Sequence, residues 1–135
     1  MVNNRIILLV AALLAANPLP VNAEPSDRWR VQFDHSAQNN GVLVLRISPL
    51  GRAPIDVSTK IPERTSENRA ARLLRDALRA ALGEGFEVET VDGENVVIAK
   101  VGDTPDFDVS LIRSSISGLS IELERQEPQV LNAKQ

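Results

Sequence analysis

The sequence predicts an α+β domain in which a single amphipathic helix packs on a curled, mainly antiparallel sheet of about six to seven strands. Two observations predict this class. Several segments alternate apolar and polar residues with a period of two, and one segment repeats apolar residues at helical spacing. The predicted element order is βββαββββ. The clean alternation indicates a sheet with one solvated face, which is typical of antiparallel sheets.

Three of the predicted strands precede the helix. Residues 29–33 and 55–61 alternate apolar and polar side chains, as half-buried strands do. Residues 42–45 are apolar on both faces, which indicates a central strand. The Asn40-Gly41 pair favours positive backbone dihedrals and predicts a tight reversal before that strand.

The helix is predicted to run from Glu67 to Leu82. Thr65 or Ser66 can cap its first turn, and the negative charge of Glu67 suits the positive end of the helix dipole. Gly83 supplies a C-terminal stop. The apolar positions form one stripe at helical spacing. They are Ala70, Leu73, Leu74, Ala77, Leu78 and Ala81.

Four short apolar-rich segments after the helix predict the remaining strands. They are residues 86–90, 96–99, 107–111 and 119–123. Between the first two lies Asp92-Gly93, a pair that two-residue hairpins prefer.

The predicted sheet is too wide for one helix to cover. Seven strands side by side span roughly 30 Å, whereas a helix is about 10 Å across. The sheet can curl around the helix, divide into two layers, or be completed at an edge by another chain. We expect curling. Completion of an edge by another chain is the one of these possibilities that would indicate a function, namely binding to a partner.

The N-terminus has the three-part pattern of a secretory signal peptide, predicted over residues 1–23. Arg5 precedes an apolar run from Ile6 to Ala16, and small residues at positions 21 and 23 fit a peptidase site. The alternative is a membrane anchor. That run would rise only about 16 Å as a helix, against a hydrocarbon core of roughly 30 Å, so we expect no membrane span after signal removal.

The predicted organisation is therefore a signal peptide, a single α+β domain over residues 24–125, and a flexible tail over residues 126–135. The short apolar run, the preference for Arg over Lys and the absence of Cys suggest a bacterial envelope protein, periplasmic or secreted.

Composition excludes several classes of function. A formal net charge of -3 disfavours a general nucleic-acid binder, which needs surplus Lys and Arg. Without Cys there is no disulfide framework, thiolate metal site or cysteine nucleophile. The one Trp and three Phe lie on predicted apolar faces, so base-stacking platforms are lacking. No cofactor is predicted.

Asp34-His35-Ser36 contains the residue types of a hydrolase triad. Consecutive strand residues point to alternate faces, so these three cannot form the proton relay locally. No Gly-x-Ser-x-Gly elbow is present to hold a nucleophile. The motif therefore predicts a polar strand end, and the chain is not expected to be an enzyme.

Asp103, Asp106 and Asp108 make a cluster of carboxylates that could hold Ca²⁺. Their spacing lacks the central Gly and the bidentate Glu of an EF-hand loop. The cluster is a weak metal candidate, and solvated acidic residues at a strand entry are the simpler interpretation.

The candidate binding residues are Arg69, Arg72, Arg75 and Arg79, which fall within an arc of about 120° opposite the leucine stripe. Asp76 lies in the same arc and is expected to pair with Arg72 or Arg79. The face can contact an anionic ligand or acidic protein, or simply be a solvated helix face.

Acidic residues are predicted to gather on the polar side of the sheet. They are Glu87, Glu89, Asp108, Glu122 and Glu124. The domain would then be basic on its helix side and acidic on its sheet side, a polarity that can orient a partner or allow self-contact.

These patterns favour a small exported protein that works by non-catalytic contact, as an assembly factor, an inhibitor or an accessory subunit. The expected partner is another envelope protein or a second copy of the chain. One alternative is a periplasmic binder of an anionic ligand that uses the helix arginines. The other is an unrecognised hydrolase whose acidic residues cannot be paired from sequence.

Overall fold

A computed structural model describes residues 24–126 of the chain. The predicted order βββαββββ is confirmed. The elements are β1 (Arg28–Asp34), β2 (Gly41–Pro49), β3 (Ile55–Ile61), α1 (Glu67–Leu82), a 3-10 turn (Gly83–Gly85), β4 (Phe86–Val91), β5 (Asn95–Lys100), β6 (Phe107–Ser114) and β7 (Ser120–Arg125). The predicted signal peptide and, apart from Gln126, the predicted tail lie outside the described residues. No helix in this described part is long and apolar enough to cross a membrane.

The strands form two antiparallel sheets, so the prediction of one curled sheet is wrong. One sheet has the order β4-β5-β1-β7 and the other the order β3-β2-β6. The division occurs because β6 pairs with β2 and the following turn, residues 115–119, carries the chain to β7, which pairs with β1. This resolves the mismatch in width, since two narrower sheets share one helix.

Phe107 joins the two sheets at the start of β6. Its backbone amide and carbonyl form an isolated bridge with Ser26, with N–O distances of 2.9 Å in both directions. The indole Nε1 of Trp29, on β1, also donates to the carbonyl oxygen of Phe107 at 2.8 Å. The hydroxyl of Ser26 donates to the carbonyl oxygen of Gln126 at 2.6 Å, so the end of β7 meets the same junction.

The helix packs on both sheets, against β3 of the smaller one and β4, β1 and β5 of the larger one. Its buried residues are Ala70, Ala71, Leu74, Leu78 and Leu82. The predicted stripe is therefore confirmed at its centre, but Ala81 is exposed and Leu73 and Ala77 are half-buried. The buried stripe is rotated slightly from the predicted one, and the helix packs against both sheets instead of one.

The helix ends agree with the sequence signals. The Ser66 hydroxyl accepts a hydrogen bond from the Arg69 amide at 3.2 Å and is the N-cap, whereas the Thr65 hydroxyl donates to the Pro62 carbonyl. At the other end Gly83 takes a φ of 71°, a conformation that favours glycine.

One of the two predicted reversals is confirmed. Asp92 and Gly93 reverse the chain between β4 and β5 with positive φ, 56° and 83°. The predicted two-residue turn is wrong, because Val91 pairs with Asn95 and the loop has three residues, Asp92, Gly93 and Glu94. Gly41 is different, because it begins β2 without a positive φ. A Cβ at Gly41 would lie 2.7 Å from Cγ1 of Ile116 in the turn 115–119. This glycine therefore permits a close contact between the turn and β2, and does not make the tight reversal that the sequence predicts.

Truncating leucines of the helix should destabilise the protein in proportion to their burial. Leu74 is fully buried in the core, so Leu74→Ala should reduce the free energy of unfolding by about 2–5 kcal/mol. Leu73, the adjacent half-buried leucine, is the matched control, and Leu73→Ala should cost less than half as much. Urea denaturation followed by circular dichroism measures both. A loss below about 1 kcal/mol for Leu74→Ala would contradict this packing.

Candidate functional site

The face of the four-stranded sheet turned away from α1 is open and strongly charged. We call it the outer face. Cross-strand register places alternate residues of the four strands on it, while their neighbours point into the core. It consists of Glu87, Glu89 and Val91 of β4, Asn95, Val97 and Ala99 of β5, Arg28, Arg30 and Gln32 of β1, and Glu122 and Glu124 of β7.

Charge on the outer face is arranged in stripes that follow the strands. The two edge strands, β4 and β7, each contribute two glutamates. The arginines Arg28 and Arg30 lie on β1 between them. Strand β5 contributes the small apolar side chains Val97 and Ala99 between the acidic stripe of β4 and the basic stripe of β1. From one edge of the sheet to the other, the outer face therefore carries an acidic, an apolar, a basic and a second acidic stripe.

Two shallow depressions follow this pattern. One has a volume of about 300 Å³, and its lining includes the four charged side chains of β4 and β1 together with Val97 and Ala99. We call it the β5 groove. It has an acidic wall, an apolar floor and a basic wall. The second depression, of about 430 Å³, lies on the other side of β1 and is lined by Arg30, Gln32, Glu122, Leu123 and Glu124.

Some of the charges on the outer face are already paired. A guanidinium nitrogen of Arg30 contacts a carboxylate oxygen of Glu124 across the β1–β7 pair. Arg79, on the helix, reaches around β4 and lies 3.3 Å from a carboxylate oxygen of Glu89. Exposed pairs of this kind contribute about 0–1 kcal/mol to stability, so their partners can exchange at little cost.

Two buried polar atoms belong to the outer face. Oδ1 of Asn95 and Nε of Arg30 have no hydrogen-bond partner within residues 24–126. Asn95 is 5% exposed and lies opposite Gln32 in the β1–β5 register. Asn95 can therefore still accept a hydrogen bond at Oδ1, and Arg30 can still donate one from Nε.

The structure separates the four predicted helix arginines into two pairs. Arg69 and Arg72 are exposed, and their side chains form no ion pair within the described chain. Arg79 donates from Nε to the Val88 carbonyl at 2.9 Å and is bound to β4. Arg75 pairs with its neighbour Asp76 at 2.9 Å, so the expected pairing of Asp76 with Arg72 or Arg79 is wrong. The accessible part of the basic helix face is thus its first two turns.

The predicted polarity of the domain holds only in part. The four glutamates of β4 and β7 share one face, but Asp108 lies in the other sheet. Arg28 and Arg30 also give that face a basic centre. The sequence alone predicts that both arginines lie on the polar side of β1, because they alternate with Trp29 and Val31. Their position between two acidic strands depends on long-range pairing, which the sequence does not display.

The three aspartates of the weak metal candidate have different surroundings. Asp106 pairs with Lys100 at 2.9 Å, Asp103 is exposed, and Asp108 is buried. Among the described residues, no group of three or more His, Cys, Asp or Glu side chains is placed to hold a metal ion. The stretch therefore forms a strand entry with one solvated, one paired and one buried carboxyl.

His35 lies just beyond the end of β1, with a positive φ of 70°. Its backbone amide donates to Asp34 Oδ1 and to Glu67 Oε1, both at 3.1 Å. Its imidazole Nε2 is 4.0 Å from Asp34 Oδ2, and the side chain is 70% exposed. These contacts tie the strand end to the first turn of the helix and supply a polar strand end.

No protein-family model matches the chain, and no curated protein matches its sequence.

Burial raises the pKa of the Asp108 carboxyl above its ordinary value of 3.8, and a hydrogen bond from the Val109 amide partly offsets this. The folded state therefore holds the proton more tightly than the unfolded chain does. Proton binding by Asp108 therefore stabilises the folded state. This stabilisation is fully present below pH 3.8 and is lost as the pH rises through the raised pKa.

Asp108→Asn should consequently raise the melting temperature at neutral pH by a few degrees, because it removes a charge that burial disfavours. Below pH 3.8 the variant and the natural chain should melt together. Thermal melts across this pH range measure the difference, with the exposed Asp103→Asn as the matched control. A variant that is less stable at neutral pH would refute the interpretation.

Proposed function

We propose that this is a small exported protein of a bacterial envelope that acts by non-catalytic contact with another protein, as an assembly, inhibitor or accessory module. The observation that carries the proposal is the outer face, which is open and displays both signs of charge in ordered stripes. Export rests on the sequence pattern of residues 1–23.

The β5 groove gives the proposed contact its chemistry. A partner segment lying along β5 would place small apolar side chains on Val97 and Ala99. Its cations would face Glu87 and Glu89, and its anions would face Arg28. Complementary charges of this kind govern orientation and association rate more than total affinity.

The size of the outer face indicates a weak or transient complex. Strands of about six residues are roughly 20 Å long, and four of them cover a width of about 14–19 Å. This is an area under about 400 Å², compared with about 800 Å² per partner in a standard stable interface. A partner that uses this face alone would bind reversibly and would be sensitive to salt.

Binding of an anionic ligand by the helix remains the second candidate. Arg69 and Arg72 favour it, because both are exposed and unpaired within the described residues. Arg75 and Arg79 contribute less, since each guanidinium already has a partner.

The two candidates predict opposite results for two charge variants. The chain, tagged at its C-terminus, is recovered from the envelope of its own host, and co-purified protein is measured by mass spectrometry and native mass. If the outer face carries the contact, Arg28→Glu with Arg30→Glu should reduce the recovered partner by about tenfold or more. Arg69→Gln with Arg72→Gln is the matched control and should leave recovery unchanged.

The same recovery should fall as salt rises, since exposed charges are screened. Loss of the partner only in the helix variant would favour the anionic-ligand candidate. Equal recovery with all variants, or a chain that is monomeric at every salt concentration, would contradict the proposal. Sequencing the N-terminus of the recovered chain tests export separately, with Glu24 as the expected first residue.

A further inference from the structure

Strand β6 has one paired edge and one free edge. Towards β2 it is hydrogen-bonded along its whole length, apart from a bulge. On its other side, among the described residues, only Phe107 is paired, through the bridge with Ser26. Backbone amides and carbonyls of alternate strand residues point to the same side, so Val109 and Leu111 present theirs to the free edge.

This free edge carries exposed apolar side chains. Leu111 is 42% exposed and Ile112 is 45% exposed. The β2 register pairs Leu45 with Leu111 and Val44 with Arg113, which leaves Ile112 as the extra residue of the bulge. The residues from Val109 to Ile112 include no charge and no proline, two of the usual protections of an exposed edge.

The other three edge strands of the two sheets differ from β6. In a two-fold antiparallel pairing, residues equally far before and after the axis face each other, so two like charges placed symmetrically about the strand centre oppose one another. Strands β4 and β7 each carry two exposed glutamates, and would repel their own copies. Strand β3 lies against the helix and carries exposed Asp56 and Lys60. In such a pairing Asp56 of β3 can face Lys60 of its copy, but β3 carries no exposed large apolar side chain. Among these edges, β6 is therefore the one that combines exposed apolar side chains with no opposition of like charges.

We propose that β6 pairs antiparallel with β6 of a second copy of this chain, about a two-fold axis near Leu111. The backbone groups of Val109 and Leu111 would form the cross-strand hydrogen bonds, and the exposed leucine and isoleucine would be buried between the copies. One strand pair is a small interface, so the dimer forms in a concentration-dependent manner. The proposal is independent of the outer face, which belongs to the other sheet.

Analytical ultracentrifugation of the full chain over a wide concentration range tests the proposal. A monomer–dimer equilibrium is expected, and Leu111→Lys with Ile112→Lys should shift it to monomer, because the charge at position 111 would face its own copy on the axis and the charge at position 112 would lie beside it. Leu50→Lys is the matched control: Leu50 is 51% exposed beside β2 and should leave the equilibrium unchanged. Circular dichroism confirms that the variants remain folded.

Single-cysteine variants give a second readout, because the chain contains no Cys. Under mild oxidation Leu111→Cys should form a disulfide-linked dimer readily, and Leu50→Cys should not. A chain that is monomeric at all concentrations would overturn the proposal. So would a dimer that persists in the double lysine variant, which would place the contact elsewhere. Dimerisation that appears only after removal of residues 127–135 would assign the edge to the chain's own C-terminal segment, and would also overturn it.

Discussion

The fold depends on one junction, where Ser26 and Trp29 bind Phe107. Two backbone hydrogen bonds from Ser26, just before β1, and the indole hydrogen bond from Trp29 within β1 connect this end of one sheet with the edge strand β6 of the other. Phe107 is fully buried there and makes an edge-to-face contact with Phe86, with ring centres 5.1 Å apart. Backbone polar groups are costly to bury unpaired, so this junction holds the two sheets in a single arrangement around one core.

The junction also determines which surfaces stay open. Because both sheets pack against α1 in one shared core, their inner faces are buried, and the polar residues of β1 are left on the outer face. The pairing of β1 with β5 and β7 then sets arginines between glutamates. The charge stripes are thus a consequence of strand order. That order arises because the chain leaves one sheet after β6 and enters the other at β7.

Local structure could be predicted from sequence, whereas the partition into sheets could not. Alternation and short apolar runs located the seven strands, and helical spacing with Ser66 and Gly83 located the helix, because these signals act over a few residues. The choice of partner for β6 is made across the chain, between residues such as Val109 and Ile47, and leaves no local pattern. For the same reason the burial of Asp108 and the engagement of Arg79 by β4 were not foreseen. Gly41 is instructive, since its neighbour Asn40 suggested a turn while the real constraint is the approach of Ile116.

The most direct test of the central claim, that the outer face is the contact surface, is site-specific photo-crosslinking in the host envelope. A photoreactive residue is placed at position 97, on the floor of the β5 groove, and in a parallel chain at position 58, on the exposed face of β3. The account predicts a defined covalent adduct with another protein from position 97 and none from position 58. No adduct from position 97, or equal adducts from both positions, would contradict it.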